Sequence, residues 1–505
     1  MQDTAGTWLM ASLTASPLLI ALMQTAASLP ALFLGFVSGA TADIFDRRRL
    51  LVFWQSWMLT SVAILAALTL AGIVSPWTLL SLTFLLNIGN ALNGPAWQAI
   101  VPELVAREEL PEAVAINSAG FNLTRAVGPA LGGIMVAAFA TAVRGAGLVF
   151  LLNAASFVGV IIVLYMWKRK AMFKSALPAE RLAGSVRAGF RYILHAPPLQ
   201  ATFVRVFAFT LFASAVWALL AVVAQQNLHQ GALGYGLLNG CLGVGAVGGA
   251  IMLPRVRKRL DANQIVFISS GVFAVTLTIL AFLHNEAAVV VSLLAAGAAW
   301  TSTTSTLNVS VQLCVPAWVQ ARALGAYQTI FWAGMALGSW AWGDIAEHFV
   351  TRNALLAAAV GFAVTAPLVS RFQLWRGAPP NMSPFQPPRA APAVEMQPDP
   401  DDGPVLVSIE YRVDPEDYEA FTRAIHRLRT VRLRDGASRW GVFRDTARPE
   451  RVVEQFVTES WVEFLRERER LTESDRKVRD RVRRYHRGDE PPKASFMIYA
   501  REVGR

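Results

Sequence analysis

Cysteine and charge are both scarce in this sequence. Its 505 residues include two cysteines, Cys241 and Cys314, both within apolar runs, which excludes a disulfide framework and a cysteine metal site. Only 16% of the residues are charged, against about 25% in soluble domains. The sequence also contains no phosphate-binding Gly-rich loop followed by Lys-Ser or Lys-Thr, which argues against use of ATP. We therefore expect no metal ion and no cofactor.

The charges that are present lie mostly near the C-terminus. Residues 1–370 carry 20 Lys/Arg and 12 Asp/Glu, whereas residues 371–505 carry 26 and 23. The first part is composed for a lipid bilayer and the second for water. Because the basic residues of the tail are nearly matched by acidic ones, the composition does not indicate a nucleic-acid partner.

The apolar part predicts eleven transmembrane spans preceded by a stub, because a span needs about 20 apolar residues. The stub, residues 1–13, is too short to cross, and we interpret it as the second half of a first helix whose start is missing. The spans lie near 17–40, 50–71, 77–101, 113–141, 147–167, 199–225, 233–254, 263–283, 287–311, 321–347 and 352–372.

Basic residues in the loops predict the orientation of the chain. One set of loops contains the triplet Arg47-Arg48-Arg49 and most of the other basic residues, while the opposite set contains only Arg144 and Arg352. The basic set is expected to be cytoplasmic, together with the tail. This predicts a multi-pass protein of the cell (inner) membrane with a cytoplasmic C-terminal domain.

An internal repeat divides the spans, with the stub counted as the first, into two sets of six. Gly39-Ala40 followed by Arg47–Leu50 matches Gly249-Ala250 followed by Arg257–Leu260 in the same register. Two six-helix halves are typical of a secondary transporter whose binding site lies near the membrane midplane between them.

The loop after the second span resembles the signature of the major facilitator superfamily. It contains Gly39, Asp43 and the arginines Arg47, Arg48 and Arg49. The resemblance implies a cytoplasmic charge latch, in which arginines change carboxylate partners as the two halves move. The alternative is that the arginines only fix the topology. The sequence departs from the usual signature at Ile44 and Asp46.

The fifth span is similar to the Gly-Pro motif of proton-linked exporters in the same superfamily. Its Gly128, Gly132 and Gly133 permit close helix approach, and Pro129 bends the helix. Packing alone also explains these glycines. A guanidinium within a span, here Arg125, normally faces a cavity or a partner, so Arg125 is a candidate for binding an anion or for tuning a carboxylate.

Carboxylates are few in the apolar part, so the proton-coupling candidates can be named. Asp3 lies in the stub, and we pair it with Arg125 as the predicted coupling site. The alternative is that Asp3 lies at the membrane interface without a role in transport.

Other polar and aromatic residues are candidates for lining a substrate cavity, although helix-to-helix hydrogen bonds and packing against lipid are alternative roles. These candidates are Asn90, Asn117, Asn122, Trp300, Asn308 and Trp332.

The tail predicts a small separate domain. Period-two alternation over Val405–Arg412 indicates a strand, Asp414-Pro415 opens a helix, and strands near 438–445 and 451–458 follow. A helix near 460–484 and a last strand near 494–501 complete the order βαββαβ, which is typical of a ferredoxin-like domain. The expected fold is therefore an all-α polytopic membrane protein with an α+β tail.

The whole chain resembles the branch of the superfamily that includes the enterobactin exporter and the transmembrane secretion effectors. Its tail resembles the antibiotic-biosynthesis monooxygenase fold, through Arg434-Asp435-Gly436, Arg439-Trp440-Gly441 and Glu459-Ser460-Trp461. Fold alone does not establish an activity. We favour a dimerisation or regulatory role for the tail over an enzymatic one, with a homodimer formed through this domain.

These patterns predict a proton-coupled exporter of small organic molecules, drug-like or siderophore-like, that works by alternating access. Two alternatives remain: a transporter-derived receptor or scaffold that signals through the tail, and a membrane-tethered monooxygenase-like enzyme. The predicted divisions are the N-terminal half (1–167), the central loop (168–198), the C-terminal half (199–373), a Pro-rich linker (374–404) and the tail domain (405–505).

Overall fold

The computed structural model describes residues 1–44, 46–104, 124, 127–167, 182–283, 285–371, 381–383, 385, 398–488 and 490–500. The chain divides into two units. The helical unit consists of Met1–Ala176, Thr202–Val309 and Gly325–Gln373. The sheet unit consists of Leu177–Ala201, Ser310–Leu324 and Leu374–Arg505.

Thirteen helices precede the tail in the described ranges. They are α1 (Gln2–Leu13), α2 (Pro17–Ile44), α3 (Arg47–Leu70), α4 (Pro76–Leu104), α5 (Val127–Ala137), α6 (Ala142–Met166), α7 (Leu182–Leu194), α8 (Pro197–Val222), α9 (Ala232–Val256), α10 (Ala262–Phe282), α11 (Glu286–Cys314), α12 (Ala317–Phe349) and α13 (Thr351–Ser370). A π-helical turn, Val223–Asn227, continues α8.

Eight of these helices are long and apolar enough to cross a membrane, as judged over the described residues. They are α2, α3, α6, α8 with its π-helical turn, α9, α10, α11 and α13. The predicted polytopic helical architecture is therefore confirmed, whereas the predicted number of twelve is not established by these eight.

Local sequence explains where the helices begin and end. Gly72, at φ +74°, follows the C-terminus of α3, a conformation that glycine adopts without steric cost. The backbone N–H of Ser75 donates to the Thr78 hydroxyl at 2.8 Å, and α4 begins at Pro76. The sequence predicts a break between the spans near 50–71 and 77–101, and this turn confirms it. A capping box of Asp261 and Gln264 likewise starts α10.

Small residues allow the transmembrane helices to approach closely. A methyl group added at Gly249 would lie 2.6 Å from Cα of Ala298, and one added at Gly245 would overlap the backbone of Leu294. These contacts join α9 to α11 at a separation that only glycine permits, the usual means of helix association in lipid.

The central loop contains a helix that the sequence did not predict. We expected residues 168–198 to be a loop, but 182–194 form α7. It is strongly amphipathic, so one face is suited to packing against protein.

The tail forms a four-stranded antiparallel sheet in the order β2-β3-β1-β4. The strands are β1 (Val405–Arg412), β2 (Ala437–Arg444), β3 (Arg451–Thr458) and β4 (Lys493–Ile498), and α14 (Tyr418–Asp435) connects β1 to β2. Val407 of β1 faces Phe456 of β3 and Phe496 of β4. These side chains form a core with Trp461 and Phe464.

The single helix expected near 460–484 is two helices, α15 (Trp461–Glu469) and α16 (Glu473–Arg483). The second helix begins directly after Thr472, because the side chains of Thr472 and Asp475 form a capping box at the start of α16. A capping box satisfies the free N–H groups of a helix start, so the sequence here favours a new helix over a continuous one.

The interior of the tail contains charged side chains that are fully paired. Glu454 is completely buried and accepts hydrogen bonds from Arg432 (3.1 Å), Tyr411 (3.1 Å) and Trp440 (3.0 Å). Arg432 also donates to Glu467 at 2.7 Å. Removing one partner from such a network leaves the others desolvated without compensation.

A second buried network lies at the end of α14. Arg434 donates to Asp435 (2.8 and 2.9 Å) and to Asp475 (2.7 Å). Burial raises the pKa of the Asp435 carboxyl to about 7, and the charge of Arg434 opposes that rise. One guanidinium thus holds two carboxylates together, which ties the end of α14 to the start of α16.

Replacing Glu454 by Ala should destabilise the tail by about 3–5 kcal/mol, since Arg432 loses a buried partner. The measurement is the rate of protease cleavage within residues 405–500 of the full-length protein in detergent, because cleavage follows the unfolded population. Glu419→Ala is the control, since Glu419 is exposed and lies 3.7 Å from Arg423, one turn later on the same helix. Equal cleavage of the two variants would contradict the structural role of the network.

Candidate functional site

The first helix lies inside the helical unit. Seven of its twelve residues, from Thr4 to Ala11, are buried, and Asn153 of α6 donates to the Gln2 side chain. Trp8 stacks on Tyr235 of α9, with ring centroids 5.8 Å apart. Asp3 lies in the first turn of this helix and is exposed.

Helix α5 packs closely against α9, which belongs to the other predicted half. A methyl group at Gly133 would lie 2.7 Å from Cα of Gly236 and 2.8 Å from the Ala232 carbonyl oxygen. On the adjacent face, a methyl group at Gly132 would lie 2.8 Å from the carbonyl oxygen of Met1, and Gly128 faces the same residue. The glycines of the predicted exporter motif thus place α5 directly against α9 and α1. Pro129 lies between Gly128 and Gly132 in the sequence.

Three of the predicted site residues, Arg125, Asn117 and Asn122, lie outside the described residues. Their proposed roles stay predictions.

The arginine triplet begins α3. Asp46 caps this helix by accepting from the Arg49 backbone N–H at 3.0 Å. Arg48 donates to the carbonyl oxygens of Leu164 (2.7 Å) and Tyr165 (2.6 Å) at the C-terminus of α6, where positive charge is favoured. The side chains of Asp43 and Arg47 and the surroundings of Gly39 lie outside the described residues. In this structure Arg48 therefore binds a helix end, and the latch stays a prediction.

An aromatic cluster occupies the second half. Trp300 of α11 lies 4.3 Å from Trp217 of α8 and 5.6 Å from Phe331 of α12, measured between ring centroids. Phe331 is 5.1 Å from Trp332. The structure thus brings together two predicted cavity residues, Trp300 and Trp332, on neighbouring helices.

Three phenylalanines extend this cluster, and sequence reasoning missed them. They are Phe209, Phe273 and Phe362, with Phe209 lying 5.9 Å from Trp300. A lone Phe in an apolar run gives no signal, since it is typical of lipid-facing and of buried positions alike.

Of the predicted asparagines, the structure describes Asn90 and Asn308. Asn90 of α4 is exposed, whereas Asn93, three residues later, is buried and accepts a hydrogen bond from Gln55 at 3.4 Å. Asn308 of α11 is half-buried.

A carboxylate that the sequence analysis missed joins the two predicted halves. Glu347, near the end of α12, accepts hydrogen bonds from the Ser16 hydroxyl (2.6 Å) and from the backbone N–H of Leu18 (3.2 Å). It therefore caps the start of α2, where negative charge is favoured. Farther along the same pair of helices, a methyl group at Gly343 would lie 2.5 Å from Cβ of Ala21. Two sequence signals could have indicated this contact. They are the Ser16-Pro17 pair, which favours a turn, and a carboxylate at the end of the eleventh predicted span.

Two helix contacts join the predicted halves, α2 with α12 and α5 with α9, and both are called seams below. Each seam is formed at glycines, and Glu347 adds hydrogen bonds at one end of the α2–α12 seam. Such an arrangement can hold two helix bundles together while leaving the contact free of bulky interlocking side chains.

Comparison with known proteins agrees with this helical membrane architecture. The family described as transmembrane secretion effector matches residues 1–503. The chain is 27% identical over 357 residues to an uncharacterized MFS-type transporter of Bacillus subtilis (strain 168), covering 68% of this chain and 82% of the relative. It is 26% identical over 351 residues to the multidrug efflux pump Tap of Mycolicibacterium fortuitum, covering 67% and 83%.

Two further similarities bear on branch and fold. The enterobactin exporter of Citrobacter koseri (strain ATCC BAA-895 / CDC 4225-83 / SGSC4696) is 26% identical over 245 residues, covering 48% of this chain and 56% of the relative. A solved bacterial homologue of the human lysosomal transporter Spinster superposes with a TM-score of 0.58 at 14% identity, covering 75% of this chain and 96% of the homologue.

The chain is therefore a multi-pass membrane transporter with the major facilitator fold, and not an enzyme. Within that superfamily it belongs to the transmembrane secretion effector family.

The contact between α5 and α9 can be tested with two glycines of α9. Gly236→Ala should lower stability by about 1–3 kcal/mol, because its methyl group would lie 2.7 Å from Cα of Gly133. Gly248→Ala is the control. It raises helix propensity by the same amount, about 1 kcal/mol, and its methyl group would meet no described neighbour within 4 Å. Thermal unfolding in detergent should therefore separate the two variants, and identical midpoints would rule the close contact out.

The Glu347 contact makes a separate prediction. Glu347→Ala removes charge-assisted hydrogen bonds that contribute about 1.5–3 kcal/mol, so the α2–α12 seam should open more often. With Cys241 and Cys314 replaced by Ser, the variant Ala21→Cys should then react about tenfold faster with an impermeant maleimide.

Asp344→Ala is the matched control for this experiment, since Asp344 lies one turn earlier and faces His348 of its own helix at 3.7 Å. A similar acceleration in both variants would show that Glu347 does not hold the seam.

Proposed function

We propose that this protein is a proton-coupled secondary exporter of small organic molecules that works by alternating access. The observation that carries the proposal is the pair of glycine seams between the halves, α2 with α12 and α5 with α9. Halves that meet at small residues can rock without breaking a large interlocked interface, and a site between them is then exposed to each side in turn.

The proposed boundaries follow the sequence analysis: halves at 1–167 and 199–373, joined by the central loop at 168–198. The proposed orientation places that loop and the C-terminal domain on the cytoplasmic side of the inner membrane, because the basic loops lie there. Glu347 then lies at the outer face, so hydrogen bonds to Ser16 and Leu18 close the outer end of the seam.

For proton coupling we propose Asp3 and Arg125. Asp3 sits on a helix that contacts α5 through Met1, and Arg125 precedes α5 in the chain. A carboxylate and a guanidinium near one helix junction can exchange a proton and an ion pair as the halves move. Asp43 and Arg47–Arg49 are proposed as the cytoplasmic latch, with Arg48 able to leave the end of α6.

The proposed substrates are drug-like or siderophore-like molecules with flat apolar parts. The rings around Trp300 supply a surface that favours aromatic stacking, and two relatives are by name a multidrug efflux pump and an enterobactin exporter.

For the tail we propose a ferredoxin-like domain related to the antibiotic-biosynthesis monooxygenase fold. The strand order β2-β3-β1-β4 with two helical crossovers supports this topology. The Glu454 network lies in the interior of the domain beside its apolar clusters, which favours a dimerisation or regulatory role over catalysis. A homodimer would use the outer face of the sheet, where Phe443 and Met497 are exposed.

A receptor derived from a transporter is the second candidate function. It is favoured by the contacts between the tail and α7, such as the 3.2 Å ion pair of Arg187 and Glu459, because a sensing domain must contact other segments of the chain.

The deciding experiment is efflux from cells expressing this chain, with a fluorescent lipophilic cation and a catechol siderophore as probes. We expect efflux that a proton uncoupler abolishes, and at least a roughly tenfold loss in Asp3→Asn and Arg125→Ala, since each removes a charge from the coupling site. Asp344→Asn is the control carboxylate and should retain efflux. If the protein reaches the membrane and neither probe moves, the exporter proposal fails for these substrates and the receptor is favoured.

A further inference from the structure

Two segments outside the tail domain belong to the sheet unit: α7 and the turn between α11 and α12. Tyr192 of α7 connects them. Its side chain is completely buried, its hydroxyl donates to the Cys314 carbonyl oxygen at 3.3 Å, and its ring meets the edge of Trp318 with centroids 5.6 Å apart. Cys314 is the last residue of α11, so Tyr192 satisfies a carbonyl that the helix itself leaves free.

Arginines of the tail domain cover both of these rings. The guanidinium of Arg434 lies 5.3 Å from the ring centroid of Tyr192, and that of Arg470 lies 4.5 Å from the ring of Trp318. Arg470 is itself buried and donates to the Asp435 carbonyl oxygen (2.7 Å) and to Glu463 (3.0 Å). Cation–π contacts are strongest when water is excluded in this way.

Two ion pairs border the aromatic contact. Arg191 lies 3.8 Å from Glu463, and both side chains are less than one-fifth exposed. Arg187 lies 3.2 Å from Glu459 at the exposed edge.

Burial lowers the pKa of Arg191, and the charge of Arg470 lowers it further. Burial alone would raise the pKa of Glu463, but Arg470 and Arg466 outweigh it and leave the pKa below its usual range. Glu463 is therefore charged at neutral pH, and separating the surfaces would leave Arg191 without this partner.

We propose that the tail domain is docked on α7 and on residues 314–318 through this arginine–aromatic surface, and that docking supports transport by holding the end of α11. The surface consists of Arg434, Glu463 and Arg470 on the domain, of Arg191 and Tyr192 on α7, and of Trp318 at the start of α12. The statement about transport rests on the proposed function, whereas the docking itself does not. In the chain, α7 directly precedes α8, and residues 314–318 join α11 to α12.

Cysteine cross-linking in the full-length chain tests the docking. With Cys241 and Cys314 replaced by Ser, the pair Arg187→Cys and Glu459→Cys should be joined by a short bismaleimide in native membranes. The control pair is Arg187→Cys with Glu419→Cys, because Glu419 lies 16 residues before Asp435 on α14, about 24 Å away along the helix. Equal yields from the two pairs would overturn the proposal.

Removing the rings tests the surface itself. Tyr192→Ala with Trp318→Ala should lower the cross-linking rate about tenfold, while Tyr192→Phe, which keeps the ring, should leave it within about twofold. Arg191→Glu, which opposes Glu463 without touching the rings, should lower the rate about fivefold and serves where the double variant does not reach the membrane. Unchanged cross-linking in the ring and charge variants would refute docking through this surface.

Transport then tests the role of docking. Because the cross-link only fixes a contact that the docked domain already makes, the cross-linked chain should retain at least about half of its efflux rate, and the undocked ring variant should lose most of it. Efflux lost on cross-linking, or kept on undocking, would overturn the supporting role. A chain that cross-links as expected but moves neither probe contradicts the proposed exporter function and leaves the docking upheld.

Discussion

A lipid bilayer offers no partner for a peptide group, and the whole membrane part depends on that constraint. Every backbone donor and acceptor must be satisfied within a helix, which is why the chain uses long uncharged helices separated by short capped turns. Lipid also removes the hydrophobic drive for helices to associate, so their contact depends on how closely the backbones can approach. Glycines at the α9–α11 and α5–α9 crossings supply that approach, and the seams between the halves have the same origin.

The tail domain has the composition of a water-soluble domain, and water competes for each of its polar groups. Its buried charges are therefore arranged in networks in which each guanidinium has a carboxylate partner, such as Arg432 with Glu454 and Glu467. The same chemistry extends outward at the end of α14, where Arg434 binds Asp435 and Asp475 on one side and faces Tyr192 on the other. Core and docking surface are thus parts of one continuous arrangement of arginines, and neither can be altered without affecting the other.

Much of the architecture could be predicted from the sequence, because hydrophobic length and period-two alternation are strong local signals. The turn at Gly72–Pro76 and strand β1 follow directly from such signals, and the family resemblance is confirmed. The helix in the central loop was missed, because its apolar face is short and is satisfied by distant residues. The helix break at Thr472 was missed because two local signals oppose each other there. The capping box favours a new helix start, whereas the helix propensity of the charged residues favours one continuous helix. Glu347 was missed because its partners lie 329 and 331 residues away in the chain.

The close contact at Gly133 and Gly236 affects how loss-of-function data on this protein should be interpreted. Where two backbones touch, side chains larger than hydrogen are excluded, irrespective of polarity or charge. A saturation screen for transport would therefore rank these glycines beside the residues that bind substrate, although glycines have no side chain that could bind it. Uniform intolerance to every substitution marks such steric positions, whereas a binding position tolerates chemically similar replacements, and this pattern separates the two kinds of residue without any knowledge of the substrate.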